Sequence, residues 1–271
     1  MAAASPRILV FIPAYRCAAQ ITRVIDQFDA DVTPWIDTVL VVDNRSPDNT
    51  LEAAIARGRE KITGCNFIAW RNDDNYGLGG SHKAAFRYAI EQGFDHLVVL
   101  HGDDQADIHD LIPQLKAGAH LQADCLLGAR FMPGSRLKGY SWFRTFGNRV
   151  YNALFSLGTM RRIYDLGSGL NMYRLAAFRE FYYKPFPDDL TFNYAMLLAS
   201  YDRRQQVRFF PISWREDDQV SNVRLFRQAF KVLGILGSYV VRRGAFLATD
   251  MRAKPFEAYT GQIQHRHGPA A

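Results

Sequence analysis

Asp103, Asp104 and Gln105 follow directly on the apolar run Leu97-Val98-Val99-Leu100, with His101 at its mouth. Two adjacent carboxylates with a neutral oxygen donor beside them suit a hard cation, and such a cation can itself hold phosphates. The alternative is an acidic loop that caps the next helix, for which Asp107 has the right side chain. Asp43 closes a second apolar run, Thr38 to Val42, where a carboxylate can accept hydrogen bonds from a ribose or a base N–H. Between these, Asn75-Tyr76-Gly77-Leu78-Gly79-Gly80-Ser81 precedes a helical stretch. Its glycines either let backbone amides approach an anion at a helix N-terminus or serve as plain turn residues. The loop is neither G-x-G-x-x-G, since His82 takes the third position, nor a Walker A loop. Taken with the two strand-end carboxylates, it favours a nucleotide-diphosphate site.

Those residues need a frame. Arg7 to Ile12, Thr38 to Val42, Asn66 to Trp70, Phe94 to Leu100 and Asp124 to Gly128 read as strands, the apolar runs being of the fully buried kind. Helical stretches at Ala18 to Phe28, after Asn49, and at Gly80 to Gln92 alternate with them, which predicts βαβ units and a mostly parallel sheet. Ligands in such sheets collect beyond the carboxyl ends of the strands. There the first strand supplies Pro13-Ala14-Tyr15, the second Asp43 and the fourth the Asp103 cluster. Beyond residue 130 helices are expected at Trp142 to Leu157, Leu190 to Ser200 and Asn222 to Leu247, with strands at Ser168 to Tyr173 and Gln206 to Ile212. The chain after Pro255 lacks periodicity and is expected to be loosely ordered.

Hydrophobic content of 48% with 22% charged residues is that of a globular protein. Cys17, Cys65 and Cys125 have neither the number nor the spacing of a disulfide framework or zinc site, which fits a reducing compartment. No signal-peptide core or membrane-spanning run is seen. The expected location is the cytoplasm, at most peripheral on the inner face of a membrane. The net charge of +6 comes largely from arginines after residue 130. No nucleic-acid module accompanies them, so phosphates and lipid headgroups are the expected anions.

At this point the motifs resemble those of family-2 glycosyltransferases of GT-A fold, of the dolichol-phosphate mannose synthase type. The resemblance runs from about residue 7 to 225. It rests on Ile12-Pro13-Ala14-Tyr15, the D-x-x-S-x-D-x-T pattern from Asp43 to Thr50, and the N-x-G-x-G-G element at Asn75 to Gly80. Asp103 and Gln105 match the second Asp and the Gln of D-x-D-x-Q, with His101 in place of the first Asp. Gly128-Ala129-Arg130, Asn148 to Asn152 and Asp165 to Tyr173 follow in the family's order. The resemblance implies an α/β, Rossmann-like, mostly parallel sheet flanked by helices, with a helical, basic C-terminal part. It divides the chain into a GT-A domain over 1–225 and an amphipathic basic helix with a loose tail over 226–271.

It also implies transfer of a sugar from a nucleotide-diphosphate donor, with inversion, to a polyprenyl-phosphate acceptor. Pro13, Tyr15, Asp43, Ser46, Gly79, Gly80, Lys83 and Asp103 would bind the donor. Asp103, Gln105 and His101 would hold Mg²⁺ or Mn²⁺, the imidazole suiting Mn²⁺ better; alternatively Asp103 and Gln105 would hold it with the donor pyrophosphate, and His101 would stand behind them. Arg130, Arg144, Arg149, Ser168, Arg215 and Ser221 would hold the acceptor phosphate. Asp188 or Asp189 would serve as base if the acceptor were instead a saccharide hydroxyl, since an alcohol must lose its proton; otherwise they cap the helix at Leu190. A third reading is a nucleotide-sugar-binding protein that no longer transfers. Apolar and basic residues from Leu225 to Leu247 fit either an interfacial helix on an anionic membrane or a core helix with a solvated basic face.

Overall fold

A computed structural model describes residues 5–216 and 225–269. Its strands are β1 (Ile8–Ala14), β2 (Thr38–Asp43), β3 (Asn66–Asn72), β4 (His96–Leu100), β5 (Cys125–Ala129), β6 (Arg136–Lys138), β7 (Leu170–Arg174), β8 (Val207–Pro211), β9 (Ser213–Arg215) and β10 (Gly261–His267). The helices are α1 (Ala18–Asp26), α2 (Thr50–Lys61), α3 (Gly77–Glu91), α4 (Ile112–Lys116), α5 (Trp142–Thr159), α6 (Phe192–Asp202) and α7 (Leu225–Ala248). The main sheet has eight strands in the order β10-β3-β2-β1-β4-β7-β5-β8. β1 runs parallel to β2 and β4, β2 to β3, and β5 to β8. β7 lies antiparallel between β4 and β5, and β10 antiparallel on β3.

The expected parallel sheet is therefore present, and its cause is visible in β1. Alternate side chains point to opposite faces of a strand, and here both faces are buried. Leu9 and Phe11 join one apolar cluster with residues of α3, α6 and α7. Ile8, Val10 and Ile12 join a second with residues of α1 and α2. A strand covered on both sides must be apolar throughout, which is why these runs show no alternation. The three cysteines are buried free thiols, and burial pushes each up to about 12.

The chain beyond Pro255 departs from the expected loose tail. Residues 261–267 form β10, paired antiparallel with Phe67 to Asn72 of β3, with one irregularity between Ile263 and His265. The reason lies in its position: an edge strand with one solvated face carries polar residues in alternation, so no apolar run announces it. His267 packs its ring 5.3 Å from that of Phe67. This strand belongs to the main sheet, so the body of the protein continues past residue 225. Helix α7 has Val232, Tyr239 and Phe246 buried and Phe230, Val240 and Val241 exposed. It bends at Arg242, whose backbone is non-helical. No helix among the described residues is long and apolar enough to cross a membrane.

Candidate active site

The parallel register brings the carboxyl ends of β1, β2 and β4 to one edge, and hydrogen bonds stitch their loops together. Asn44 N–H donates to the Ala14 carbonyl (2.9 Å) and Gly102 N–H to that of Pro13 (3.1 Å). Arg16 N–H donates to Ser46 Oγ (3.1 Å), so Ser46 ties the first loop to the second. Tyr15 remains 44% exposed at the rim. Asp43 is fully buried and accepts from Ser46 N–H (3.1 Å) and Arg71 Nε (3.1 Å). Arg71 stands directly opposite it in the β2–β3 register. Asp43 thus shapes the floor of the crevice rather than projecting into it.

At the end of β4 the two adjacent carboxylates part company. Asp104 has a left-handed backbone (φ 61°) and is buried. It accepts from Arg23 Nε (2.7 Å) and Gln27 Nε2 (3.2 Å), and pairs with Arg215. Asp103 is half-buried, with Gln105 N–H 3.3 Å from its Oδ1. Burial, helped by the neighbouring Asp104 charge, pushes its carboxyl up to about 6. His101 packs its ring against Gly169. Its Nε2 is buried without a hydrogen-bond partner, and burial, with Arg130 near, lowers it to about 4.

No cluster of three or more His, Cys, Asp or Glu suited to a metal ion occurs among the described residues. A cation at this strand end would have to be completed by substrate. One carboxylate, Asp103, would supply the protein's charge, and diphosphate oxygens would supply the rest, an arrangement usual for Mg²⁺. Gln105 stands beside Asp103, whereas the shielded His101 Nε2 does not open to solvent.

The glycine loop is held in a way its sequence does not disclose. Asn44 Oδ1 accepts from Tyr76 N–H (2.8 Å) and Asn72 Nδ2 (3.0 Å), while Asn75 Oδ1 accepts from Asn44 Nδ2 (2.8 Å) and Gly77 N–H (3.0 Å). Gly77 needs its freedom, with φ +67°. The amides of Gly79 and Gly80 donate to the Asp188 carbonyl at 2.7 and 3.4 Å. Gly79 and Gly80 were expected to face a diphosphate; instead the Pro187–Asp189 segment lies across this helix start. Lys83, expected at the donor, is fully buried and donates to Asp188 Oδ1 (2.7 Å) and the Phe186 carbonyl (2.5 Å). Tyr259 Oη donates to Asp188 Oδ2 (2.8 Å). A Cβ on Gly79 would lie 2.3 Å from the Pro187 carbonyl oxygen and 2.8 Å from Phe192 Cβ. Gly79→Ala is expected to cost about 3 kcal/mol through this overpacking, read as a fall in thermal midpoint of about 5–10 °C.

Asp189 accepts from Thr191 N–H (2.8 Å) at the start of α6 and pairs with Lys231. Burial raises its carboxyl, but the Lys231 ammonium and the Thr191 donors outweigh that and hold it below the usual range.

Most of the arginines expected at an acceptor phosphate already have acidic partners. Arg130 makes a two-pronged pair with Asp165, at 2.8 Å for both Nε and Nη2. Its guanidinium also lies 4.8 Å from the Trp214 ring. Arg144 pairs with Glu216 at 2.6 Å and Arg215 with Asp104. Ser168 is buried and donates to the Leu170 carbonyl (3.1 Å). Arg149 is exposed. Ser221 lies outside the described residues.

A mostly parallel sheet covered by helices on both faces, with the carboxyl ends of β1, β2 and β4 at one edge and a half-buried carboxylate after β4, is the architecture of a GT-A-type α/β protein. The family model described as glycosyl transferase family 2 matches residues 9–182, and the chain belongs to that family; it is a glycosyltransferase. It is similar to an undecaprenyl-phosphate mannosyltransferase of Micrococcus luteus, 29% identical over 64% of this chain and 68% of that protein. It is also similar to a polyprenol monophosphomannose synthase of Mycolicibacterium smegmatis, 27% identical over 62% of each chain. Among solved structures, glucosyl-3-phosphoglycerate synthase of Mycobacterium tuberculosis in complex with UDP shares the fold. The TM-score is 0.60 at 18% identity, over 88% of this chain and 81% of that one. The same enzyme with Mn²⁺ and UDP-glucose gives 0.57 at 16% identity, over 88% and 79%.

Proposed function

We propose that this glycosyltransferase moves a sugar from a nucleotide-diphosphate donor to a polyprenyl phosphate, with inversion and with Mg²⁺ or Mn²⁺. The observation that carries the acceptor class is the state of the two carboxylates in the second acidic pair. Asp188 is tied to Lys83 and Tyr259, and Asp189 to Thr191 and Lys231. Neither is poised as a base. A phosphate monoester is already an anion near neutral pH and needs none. The names of the two curated relatives point the same way.

In this reading the crevice at β1, β2 and β4 takes the donor, with Tyr15 at its rim and Pro13 and Ser46 fixing the loops. Asp103 holds the cation against the diphosphate, with Gln105 beside it. The cation supplies charge neutralisation for the departing diphosphate. The acceptor phosphate attacks the anomeric carbon from the side opposite the diphosphate, which inverts that centre. Arg149 is the expected phosphate contact left without an acidic partner among the described residues.

The test is nucleoside-diphosphate release from UDP- and GDP-sugars with Mg²⁺ or Mn²⁺, with and without a short polyprenyl phosphate. Turnover should require both metal and lipid phosphate. Asp189→Asn keeps an acceptor for the Thr191 N–H and should change the rate by less than about threefold; a loss beyond about 10²-fold, with donor binding kept, is the mark of a catalytic base and a hydroxyl acceptor. Asp188→Asn is the poorer probe, because it would leave the buried Lys83 ammonium without its partner.

A further inference from the structure

Helix α5 presents its apolar side outward. Trp142, Phe143, Phe146, Val150, Leu154 and Leu157 lie on one helical face and are all exposed, Trp142 at 79% and Leu157 at 72%. Met160, just past the helix, is 83% exposed. The opposite face, with Asn152 and Phe155, packs into the body. The apolar strip continues onto α7, where Leu236 and Val240 sit against Gly158 and Val240 and Val241 remain exposed. Contiguous apolar surface of this kind marks an interaction site rather than ordinary surface.

Charge selects the occupant. From Trp142 to Tyr164 the chain contains no Asp or Glu but has Arg144, Arg149, Arg161 and Arg162. Arg144 is used by Glu216. Arg149, Arg161 and Arg162 are exposed, and none makes an ion pair among the described residues. A second copy docking through the same face would set these arginines against each other. An anionic bilayer would match them, while Trp142 and the phenylalanines suit the headgroup boundary.

We propose that the outward face of α5, with Arg149 on the helix and Arg161 and Arg162 just past its end, docks this protein onto an anionic membrane surface. The choice of a bilayer rests on the lipid-phosphate reading given above, but docking is measured without donor or acceptor, so the two stand or fall separately. The surface lies mainly on α5, which differs from the expectation of an interfacial helix at Leu225 to Leu247.

The test is cosedimentation with vesicles of phosphatidylcholine alone and with phosphatidylglycerol added, together with tryptophan emission. Wild type should bind the phosphatidylglycerol vesicles, more weakly as salt rises, with a blue shift that Trp142→Ser reduces. The variant Phe143→Ser with Phe146→Ser and Leu157→Ser should lose most binding. Arg149→Gln, Arg161→Gln and Arg162→Gln should each weaken it roughly fivefold on the anionic vesicles only. All these side chains are exposed, and unchanged thermal midpoints would show that the fold is kept; Phe146→Ser alone serves if the triple variant unfolds. Absence of vesicle binding, or binding that these variants leave unchanged, would overturn the proposal. So would a dimer in sedimentation equilibrium that the same apolar variants dissolve, since the face would then be covered by a second copy.

Discussion

Asp103→Asn should lower sugar transfer about 10³-fold while leaving the fold at least as stable as before. The side chain keeps its shape and loses only its charge, which is what a cation held against a departing diphosphate needs. Several kcal/mol of leaving-group stabilisation then disappear, and about 4 kcal/mol corresponds to that factor. Stability should move the other way. Burial and the Asp104 charge already oppose ionisation of Asp103, whose carboxyl stands at about 6, so a neutral amide relieves a cost. A thermal midpoint that holds or rises as activity collapses marks a residue kept for function.

The pH profile follows from the same shift. A raised pKa means that Asp103 takes up its proton as pH falls through 6, where an ordinary carboxylate would still be charged. Metal-dependent transfer should therefore drop about tenfold per pH unit below 6, and the residual activity of Asp103→Asn should lack that limb. Rates from pH 5 to 8 at donor and metal concentrations well below saturation, which report the free enzyme, would show it. A full rate in the Asn variant would remove Asp103 from the cation site.

Arg130→Met is expected to cost about 3–5 kcal/mol, because it strands the carboxylate of Asp165 in the interior. Asp165 is 3% exposed and receives both the forked guanidinium and the Arg130 N–H at 2.9 Å. For a chain of this size the loss amounts to about 10 °C in thermal midpoint. The double variant Arg130→Met with Asp165→Asn should recover part of it, since no charge is then stranded, although the amide has a single oxygen for the residue-130 and Gly167 backbone N–H groups, which bond different oxygens of the carboxylate. Recovery in the thermal melt would identify the pair as a strut. Were Arg130 a ligand of the acceptor phosphate instead, the double variant would melt normally yet show a KM for lipid phosphate raised at least tenfold.

This arginine shows where reading the chain by itself succeeds and where it stops. Strand ends were legible because a doubly covered strand must be apolar and must break abruptly into polar residues, as Leu100 does into His101. Asp103 stands out as a candidate on that ground, with a capping loop as the alternative until the other motifs are added. The partner of a charge is a different matter. Arg130 and Asp165 stand 35 residues apart, and Asp104 is matched by Arg23 and Arg215 from opposite ends of the chain. Nothing local says that these charges cancel, so unpaired basic residues were expected where strut-like pairs occur. The glycine loop failed for a related reason. Its residue types announce a close approach, but the approaching group is the Asp188 carbonyl rather than a ligand. Arg71 could have been found, since a parallel register places it opposite Asp43.

The far end of the described chain also sets a timetable. The glycine loop near residue 77 leans on pieces made much later. Tyr259 reaches Asp188, Thr260 Oγ1 donates to Asp73 (2.7 Å), Lys254 pairs with Asp74, and β10 closes the edge of β3. Ribosomes add roughly 5–20 residues per second, so the loop waits on the order of ten to thirty seconds for its clamp. Throughout that interval the open edge of β3 is available for wrong pairing. A growing chain of this protein is therefore most in need of shelter while its glycine loop is still unclamped.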